Sequence, residues 1–435
     1  MIRTTHVWIL ALVAVFLSGL STWHRSSSVK QQKSEVELLL PQDTINFNGV
    51  EKISLDRGVE ELVFERKDGI WLQTQPFVCK MDTPSMMTLI ERAQGLLQLG
   101  HIDREVSLET LGLGETARSL TLTTKDGSLT VLLGRMTFGG RAYAAIGDGQ
   151  PVIVSQSLHR LAIDTDHRYW RDIRLFPDLA VDAQRIERRI YDDTFSLSRS
   201  TGNWMIQEPV SARVHDAALT DWIGRLASAK LGSFVVDQPD DLALFSLLSP
   251  RASLAITDSN GEIRTILIGG RVSAGSQNRY VKLVNTPMVF SMNWDALSQL
   301  FPTAELIAAP TGSGVSAFDV KRIRIATKES DTDLRRELET WVDETRGDKV
   351  VDAEDVRALL KWLVEAHPVS IAIGPYPRSL QVATITFEGY DYMPMDTIRI
   401  AKQEDGQWIL DNGENVLRLH PVDAGEVLLP FVQIN

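Results

Sequence analysis

The stretch DGIWLQTQP, residues 68–76, predicts a β-hairpin that leads into a further element of structure. Asp68 and Gly69 form a turn sequence, Trp71 lies in an apolar strand, and Pro76 ends that strand. Much of the pattern returns as TGNWMIQEP at residues 201–209. A pattern that recurs at this distance indicates an internal repeat. The positions of the surrounding strands and helices can then be compared by their distance from the tryptophan.

Counting from the tryptophan identifies three copies of one unit. Trp341 begins the third copy, and eleven residues after each tryptophan a helical pattern of apolar residues begins. An aspartate can cap each helix, because its side chain accepts a hydrogen bond from a free backbone N–H. Each tryptophan ring is expected to pack between its helix and the sheet. The markers of the repeat are Trp71, Trp204, Trp341, Asp82, Asp216 and Asp352.

The flanking strands also repeat, and they predict the fold class. SLTLTTKDG at 119–127 matches SLAITDSNG at 253–261, and both precede an apolar strand that ends in glycine. The third copy, VATITFEGYDYMPMDTIRIA at 382–401, keeps this order with diverged turns. Short turns between strands give antiparallel pairing. We therefore predict an α+β fold of three tandem repeats, in which mostly antiparallel hairpins pack on one helix each.

The N-terminal segment predicts attachment to a membrane. Residues 7–23, VWILALVAVFLSGLSTW, carry no charge and favour an uncleaved transmembrane helix over a cleaved signal peptide. We expect a single-pass inner-membrane protein whose body lies outside the cytoplasm. The predicted segments are an anchor or signal at 1–24, a tether at 25–48, and repeat units at 49–182, 183–310 and 318–435.

Composition and motifs argue against several classes of function. The net charge of −12, without clusters of Lys and Arg, argues against nucleic-acid binding. Cys79 is the only cysteine, so no intramolecular disulfide can form. The P-loop, HExxH and GxSxG motifs are missing from the sequence. We accordingly assign no catalytic, cofactor-binding or metal-binding residues and predict that the protein is not an enzyme.

Four local patterns have residues that could form a binding site, but each favours a structural role. His159 and His167 flank two aspartates, which allows a metal site but favours a solvated helix end. GLGETA at 112–117 is interpreted as a turn because a strand follows it, and not a helix as in a dinucleotide site. DQPDDL at 237–242 lacks the spacing of an EF-hand and is interpreted as a solvated loop. RYWRDIRLF at 168–176 favours packing between units, with a partner contact as the second interpretation.

The order of these motifs resembles an uncharacterised bacterial family of unknown function. The resemblance is carried by WLQTQP and WMIQEP, the capped helix, LGLGETARSLTL at 111–122, the LLG and LIG strand ends, and RYVKL. At the Gly-Leu step the first copy has Gly112, whereas the second copy has Ser246. The resemblance implies a single-pass anchored protein with repeated α+β units, often encoded beside gliding-motility-type ABC transporters.

Two functions follow as expectations. The first is a non-enzymatic, membrane-anchored scaffold or accessory protein outside the cytoplasm, acting as an auxiliary component of an ABC-type transport system and binding a membrane or envelope protein. The alternative is an envelope protein that binds or hydrolyses a ligand in a cleft between units.

Overall fold

The structure is a computed structural model that describes residues 37–40, 44–102, 105–176 and 183–432. The predicted anchor at 1–24 lies outside these residues, as does most of the predicted tether. Within the described ranges, no helix has the length and apolar character needed to cross a membrane. The chain divides into two compact units, Met1–Asp172 and Ile173–Asn435. The first contains one repeat and the second contains two.

The described residues of unit one form one sheet and one long helix. The helices are α1 (Thr83–Gln94), α2 (Leu108–Leu111) and α3 (Ser157–His159), with 3-10 turns at Phe47–Gly49 and His167–Trp170 and a π turn at Arg160–Asp164. The strands are β1 (Glu37–Leu38), β2 (Lys52–Asp56), β3 (Glu61–Lys67), β4 (Ile70–Gln75), β5 (Cys79–Lys80), β6 (Leu97–His101), β7 (Arg118–Thr124), β8 (Gly127–Thr137), β9 (Arg141–Ile146) and β10 (Val152–Ser155).

Unit two contains two sheets, each with one long helix. The helices are α4 (Asp216–Ser228), α5 (Trp294–Ser298), α6 (Ala304–Ile307) and α7 (Ala353–Val364). The second sheet has β11 (Ala183–Ile190), β12 (Asp193–Ser200), β13 (Asn203–Glu208), β14 (Ala212–Arg213), β15 (Ser233–Val236), β16 (Ala252–Asp258), β17 (Ile263–Arg271), β18 (Asn278–Leu283) and β19 (Val289–Asn293). The third has β20 (Arg322–Thr327), β21 (Asp331–Glu337), β22 (Thr340–Asp343), β23 (Lys349–Val351), β24 (Ser370–Ile373), β25 (Gln381–Glu388), β26 (Pro394–Lys402), β27 (Trp408–Asp411) and β28 (Val416–His420). 3-10 turns lie at Leu242–Phe245, Glu344–Arg346, Arg378–Leu380 and Val422–Leu428.

The three sheets share one strand order. The order is β5-β4-β3-β2-β7-β8-β9-β10-β6 in the first, where β1 adds a tenth strand beyond β6. It is β14-β13-β12-β11-β16-β17-β18-β19-β15 in the second and β23-β22-β21-β20-β25-β26-β27-β28-β24 in the third. The sheets are mostly antiparallel, and the α+β class agrees with the prediction. Identical order in three sheets is what a tandem repeat of one module produces.

The marker tryptophans differ in burial. Trp71 and Trp341 are buried, and Trp341 belongs to the apolar core that also contains Leu359 of α7. Trp204 is only half-buried, contrary to the expectation for all three copies. In the second repeat the buried tryptophan is Trp222 on α4, where the third repeat has Leu359. Trp222 packs against Phe195 of β12, with ring centres 6.0 Å apart, and its indole N–H donates to the Leu300 carbonyl.

The predicted helix caps need one correction. Asp82 and Asp352 are N-caps and accept hydrogen bonds from the backbone N–H of Ser85 and Glu354. In the second repeat the cap is His215, whose side chain makes no capping hydrogen bond, and Asp216 is the first helical residue. The cap lies eleven residues after the tryptophan in all three repeats, so the capping position of the second is residue 215 and Asp216 follows it. Its carboxylate still lies at the positive end of the helix dipole.

Part of the predicted tether belongs to the first sheet. Residues Glu37 and Leu38 form β1 and pair with the outer edge of β6. Leu39 and Leu40 are buried, and Leu39 N–H donates to the carbonyl of Leu96. The apolar run Leu38-Leu39-Leu40 gives this segment enough apolar surface to join the core, so unit one begins before residue 49.

Position 188 is a core site where the second repeat departs from its neighbours. Sixteen residues before their tryptophans, the first and third repeats have buried Leu55 and Ile325, whereas the second has Arg188. Arg188 is also buried, and its Nη2 donates to the exposed carboxylate of Asp193 at 2.6 Å. Its Nε has no hydrogen-bond partner among the described residues.

We expect Arg188→Leu to raise the free energy of unfolding of unit two by about 1–2 kcal/mol. The leucine removes a desolvated cation, and Asp193 is exposed enough to be solvated without a partner. Urea unfolding followed by tryptophan fluorescence measures the change. Arg185→Leu, at an exposed position of the same strand, is the control and should shift stability by no more than about 0.5 kcal/mol. A loss of stability in Arg188→Leu would show that the Asp193 pair is net stabilising.

An ion-pair network joins the second and third repeats inside unit two. Arg213 of β14 donates from its backbone N and from Nε to Oε1 of Glu414, each at 3.0 Å. Arg418 of β28 donates from Nη2 to Glu414 Oε2 at 2.9 Å and from Nε to the Ala309 carbonyl at 2.9 Å. We call these four residues the Glu414 network. Burial alone would raise the pKa of Glu414, but the two arginines outweigh it and the pKa is lowered.

Candidate interaction surface

The histidines of the loose metal-like pattern serve different structural roles. His159 is buried, and its Nε2 lies 2.8 Å from the carbonyl oxygen of Tyr143. His167 lies between two guanidinium groups, with Arg57 and Arg171 each 3.2 Å from one ring nitrogen. Burial lowers the pKa of both histidines. Across the described ranges, no three His, Cys, Asp or Glu side chains are placed to hold a metal ion.

RYWRDIRLF and GLGETA also have structural roles. In RYWRDIRLF, Trp170 packs edge-on against Phe64, and Arg171 lies 4.9 Å from the ring centre of Phe77. In GLGETA, Gly112 ends α2 in a left-handed conformation at φ 73°, and β7 follows. Ser246 adopts the equivalent conformation at φ 56°, so the second repeat keeps the turn without the glycine.

An exposed aromatic patch on the third repeat stands out as the candidate site. It comprises Phe318, Lys321, Arg336, Tyr390, Tyr392, Met393 and Met395, which we call the aromatic patch. Most of its apolar members are largely exposed, Tyr390 at 78% and Phe318 at 70%. Contiguous apolar residues on a surface commonly mark an interaction site.

Two cations are held against the rings of the patch. Lys321 Nζ lies 4.8 Å from the ring centre of Phe318 and 4.3 Å from that of Tyr390. Its ammonium also donates to the Phe318 carbonyl at 2.8 Å. Arg336 lies 5.9 Å from the Phe318 ring and donates to the same carbonyl. Within the described part of the chain neither cation forms an ion pair, so both remain available to an acidic group from outside.

The hairpin that carries the tyrosines is longer than its equivalent in the first repeat and as long as that of the second, where polar residues 258–262 connect the paired Thr257 and Ile263. Between β25 and β26, residues 389–393 connect the paired Glu388 and Pro394. In the first repeat, Thr124 pairs with Gly127 and leaves two polar residues in the turn. Since the fold forms with a short polar turn at this place, the aromatic residues are not needed for folding.

Phe318 and Lys321 of the aromatic patch also differ from the residues at the equivalent positions of the first repeat. Lys321 and Phe318 correspond to Glu51 and Asn48 of the first repeat, by their spacing from Trp341 and Trp71. Glu51 forms an ordinary exposed ion pair with Lys125 there. The third repeat thus replaces a solvated polar surface with an aromatic one that carries Lys321 and Arg336, together with the exposed carboxylate of Asp391 in the tyrosine loop. The signal in the sequence is the diverged turn GYDYMPM at 389–395, whose aromatic residues have no equivalent in the turn of the first repeat.

One comparison with known proteins found a family model that matches part of the chain. Residues 204–375 match the model of DUF4340, a domain of unknown function. The match begins at Trp204 in the second repeat and ends just after β24 in the third, about two-fifths of the chain. It supports the resemblance to an uncharacterised family of unknown function in this region. No curated protein and no solved structure matches the chain.

Proposed function

We propose that the protein is a non-enzymatic, membrane-anchored scaffold whose body lies outside the cytoplasm and docks other proteins through the aromatic patch. The observation that supports the proposal most is the patch itself. Tyrosine, phenylalanine, methionine and arginine are the residue types enriched at protein interfaces. They occupy a place where the first repeat is polar, so the fold does not require exposed apolar residues there.

The apolar N-terminal segment and the family resemblance add the cellular setting. An uncharged stretch at 7–23 suits an anchor in the inner membrane. The resembled family is often encoded beside gliding-motility-type ABC transporters, so we propose that the scaffold is an auxiliary component of such a transport system.

In-cell crosslinking tests the docking function. A photo-crosslinking amino acid in place of Tyr392 is expected to give discrete protein adducts, because an interface contact holds the partner within reach of the probe. The matched control replaces Val59, an exposed apolar residue of unit one that lies outside the patch. Discrete adducts at position 392 and not at position 59 support the proposal. Equal or missing adducts at the two positions would remove its support.

A further inference from the structure

We propose that the aromatic patch of one copy binds the segment 237–248 of a second copy, so that copies associate head to tail. This inference rests on the proposed function, because it names the partner of the same surface. It commits to a second copy because the chain itself carries a surface of the complementary kind.

The segment 237–248, DQPDDLALFSLL, is acidic and apolar on its exposed side. Leu244 is 78% exposed and Leu248 is 67% exposed. Asp240 and Asp241 are exposed as well and form no ion pair among the described residues. The backbone is held in place, because Asp241 Oδ1 accepts a hydrogen bond from Ala243 N–H at 2.8 Å and caps the 3-10 turn Leu242–Phe245. The segment is therefore an ordered surface with two leucines beside two carboxylates.

The two surfaces match in charge and in apolar character. Among the described residues, the patch offers two cations without carboxylate partners, Lys321 and Arg336. The segment offers two carboxylates without cation partners in the same part of the chain, Asp240 and Asp241. Leu244 and Leu248 supply apolar side chains for the exposed rings and methionines to cover. Because the chain has a net charge of −12, two copies repel one another over most of their surfaces. Opposite charges at one contact then select this orientation over others.

The symmetry of the contact follows from its chemistry. The patch lies on the third repeat and the segment on the second, so the two sides of the contact are different surfaces. In the head-to-tail arrangement each pair makes this contact once, and not twice across a two-fold axis, so one patch and one segment stay free on every pair. Further copies can therefore add, which gives a ring if the rotation closes and a linear chain if it does not.

Charge reversal in the purified full-length chain tests the inference. Sedimentation in detergent should show association that increases with concentration. Lys321→Glu alone or Asp240→Lys alone should weaken it at least tenfold, because each places like charges across the contact. Mixing the two variants should restore it, because every contact between them again pairs opposite charges. Asp331→Lys, an exposed aspartate of β21, is the control and should leave association unchanged.

A cysteine pair locates the contact. The only native cysteine, Cys79, is buried and does not compete. A tagged copy with Tyr390→Cys and a differently tagged copy with Leu244→Cys should form a mixed disulfide on mild oxidation, and neither should do so with the wild-type chain. A chain that stays monomeric, or association that both charge reversals leave unchanged, would overturn the inference. If Tyr392 crosslinks another protein in cells while the purified chain stays monomeric, self-association is wrong and the docking function stands.

Discussion

Replacing Glu414 with glutamine is expected to lower the free energy of unfolding of unit two by about 3–5 kcal/mol. The carboxylate is the shared acceptor of Arg213 and Arg418, and Arg418 is fully buried. Glutamine has a similar shape but no charge, so the buried Arg418 and the partly buried Arg213 lose the carboxylate they share. Urea unfolding of the full chain measures the loss. Glu404→Gln, at an exposed position of the same repeat, should change stability by no more than about 0.5 kcal/mol.

The same variant should alter the acid sensitivity of the protein. The pKa of Glu414 is lower in the folded chain than its ordinary value of 4.5, so the ion pairs contribute fully above pH 4.5. That contribution is lost as pH falls through the folded pKa, and Glu414→Gln has no such contribution to lose. The stability difference between wild type and variant should therefore shrink below pH 4.5. Burial lowers the pKa of His420 to about 4, but its effect is common to both proteins and cancels. A constant difference down to pH 2 would contradict the assignment.

Gly269→Ala is expected to destabilise unit two by about 3 kcal/mol. A Cβ at Gly269 would lie 2.1 Å from the carbonyl oxygen of Phe245, so the 3-10 turn would have to move away from β17. The carbonyl oxygen belongs to the backbone and the position of a Cβ is fixed by its own backbone, so a rotamer change cannot relieve the clash. The equivalent Gly134 would meet the carbonyl oxygen of Leu111 at 2.5 Å, which shows that the close approach is repeated.

The matched control for this substitution is Gly224→Ala. Gly224 lies inside α4, and its added Cβ would meet no atom within 4 Å. Alanine at an exposed helical position should stabilise the protein by about 0.5–1 kcal/mol. Thermal unfolding of both variants gives the comparison. If Gly269→Ala behaved like Gly224→Ala, the turn would be mobile enough to give way, and the packing of the turn on the strand would not limit stability.

The repeat and the fold class could be predicted because they depend on spacing. The distance from Trp71 to Asp82 recurs in the third copy, and alternating strands around short turns give antiparallel sheets. The cap at His215 is not predictable from residue type, because the neighbouring Asp216 is a much more common capping residue. The left-handed Ser246 was missed because the sequence does not show that a serine adopts a conformation usual for glycine.

The aromatic patch could not be predicted because exposure depends on tertiary packing. Tyr390 and Tyr392 alternate with polar residues as core residues do in a strand, and only the pairing of β25 with β26 places them in a loop. Lys321 is three residues from Phe318 but far along the chain from Tyr390, so its position between the two rings depends on the sheet. The buried Arg188 is similar, since the sequence gives no sign that this arginine faces the core.

The first strand has a practical consequence for anyone who prepares the protein. A fragment that starts at residue 49 looks natural from the sequence but lacks β1 and the buried Leu39 and Leu40. Its β6 edge would then offer free backbone groups to neighbouring molecules, which is a familiar cause of aggregation. A well-behaved fragment of unit one should therefore begin no later than residue 37.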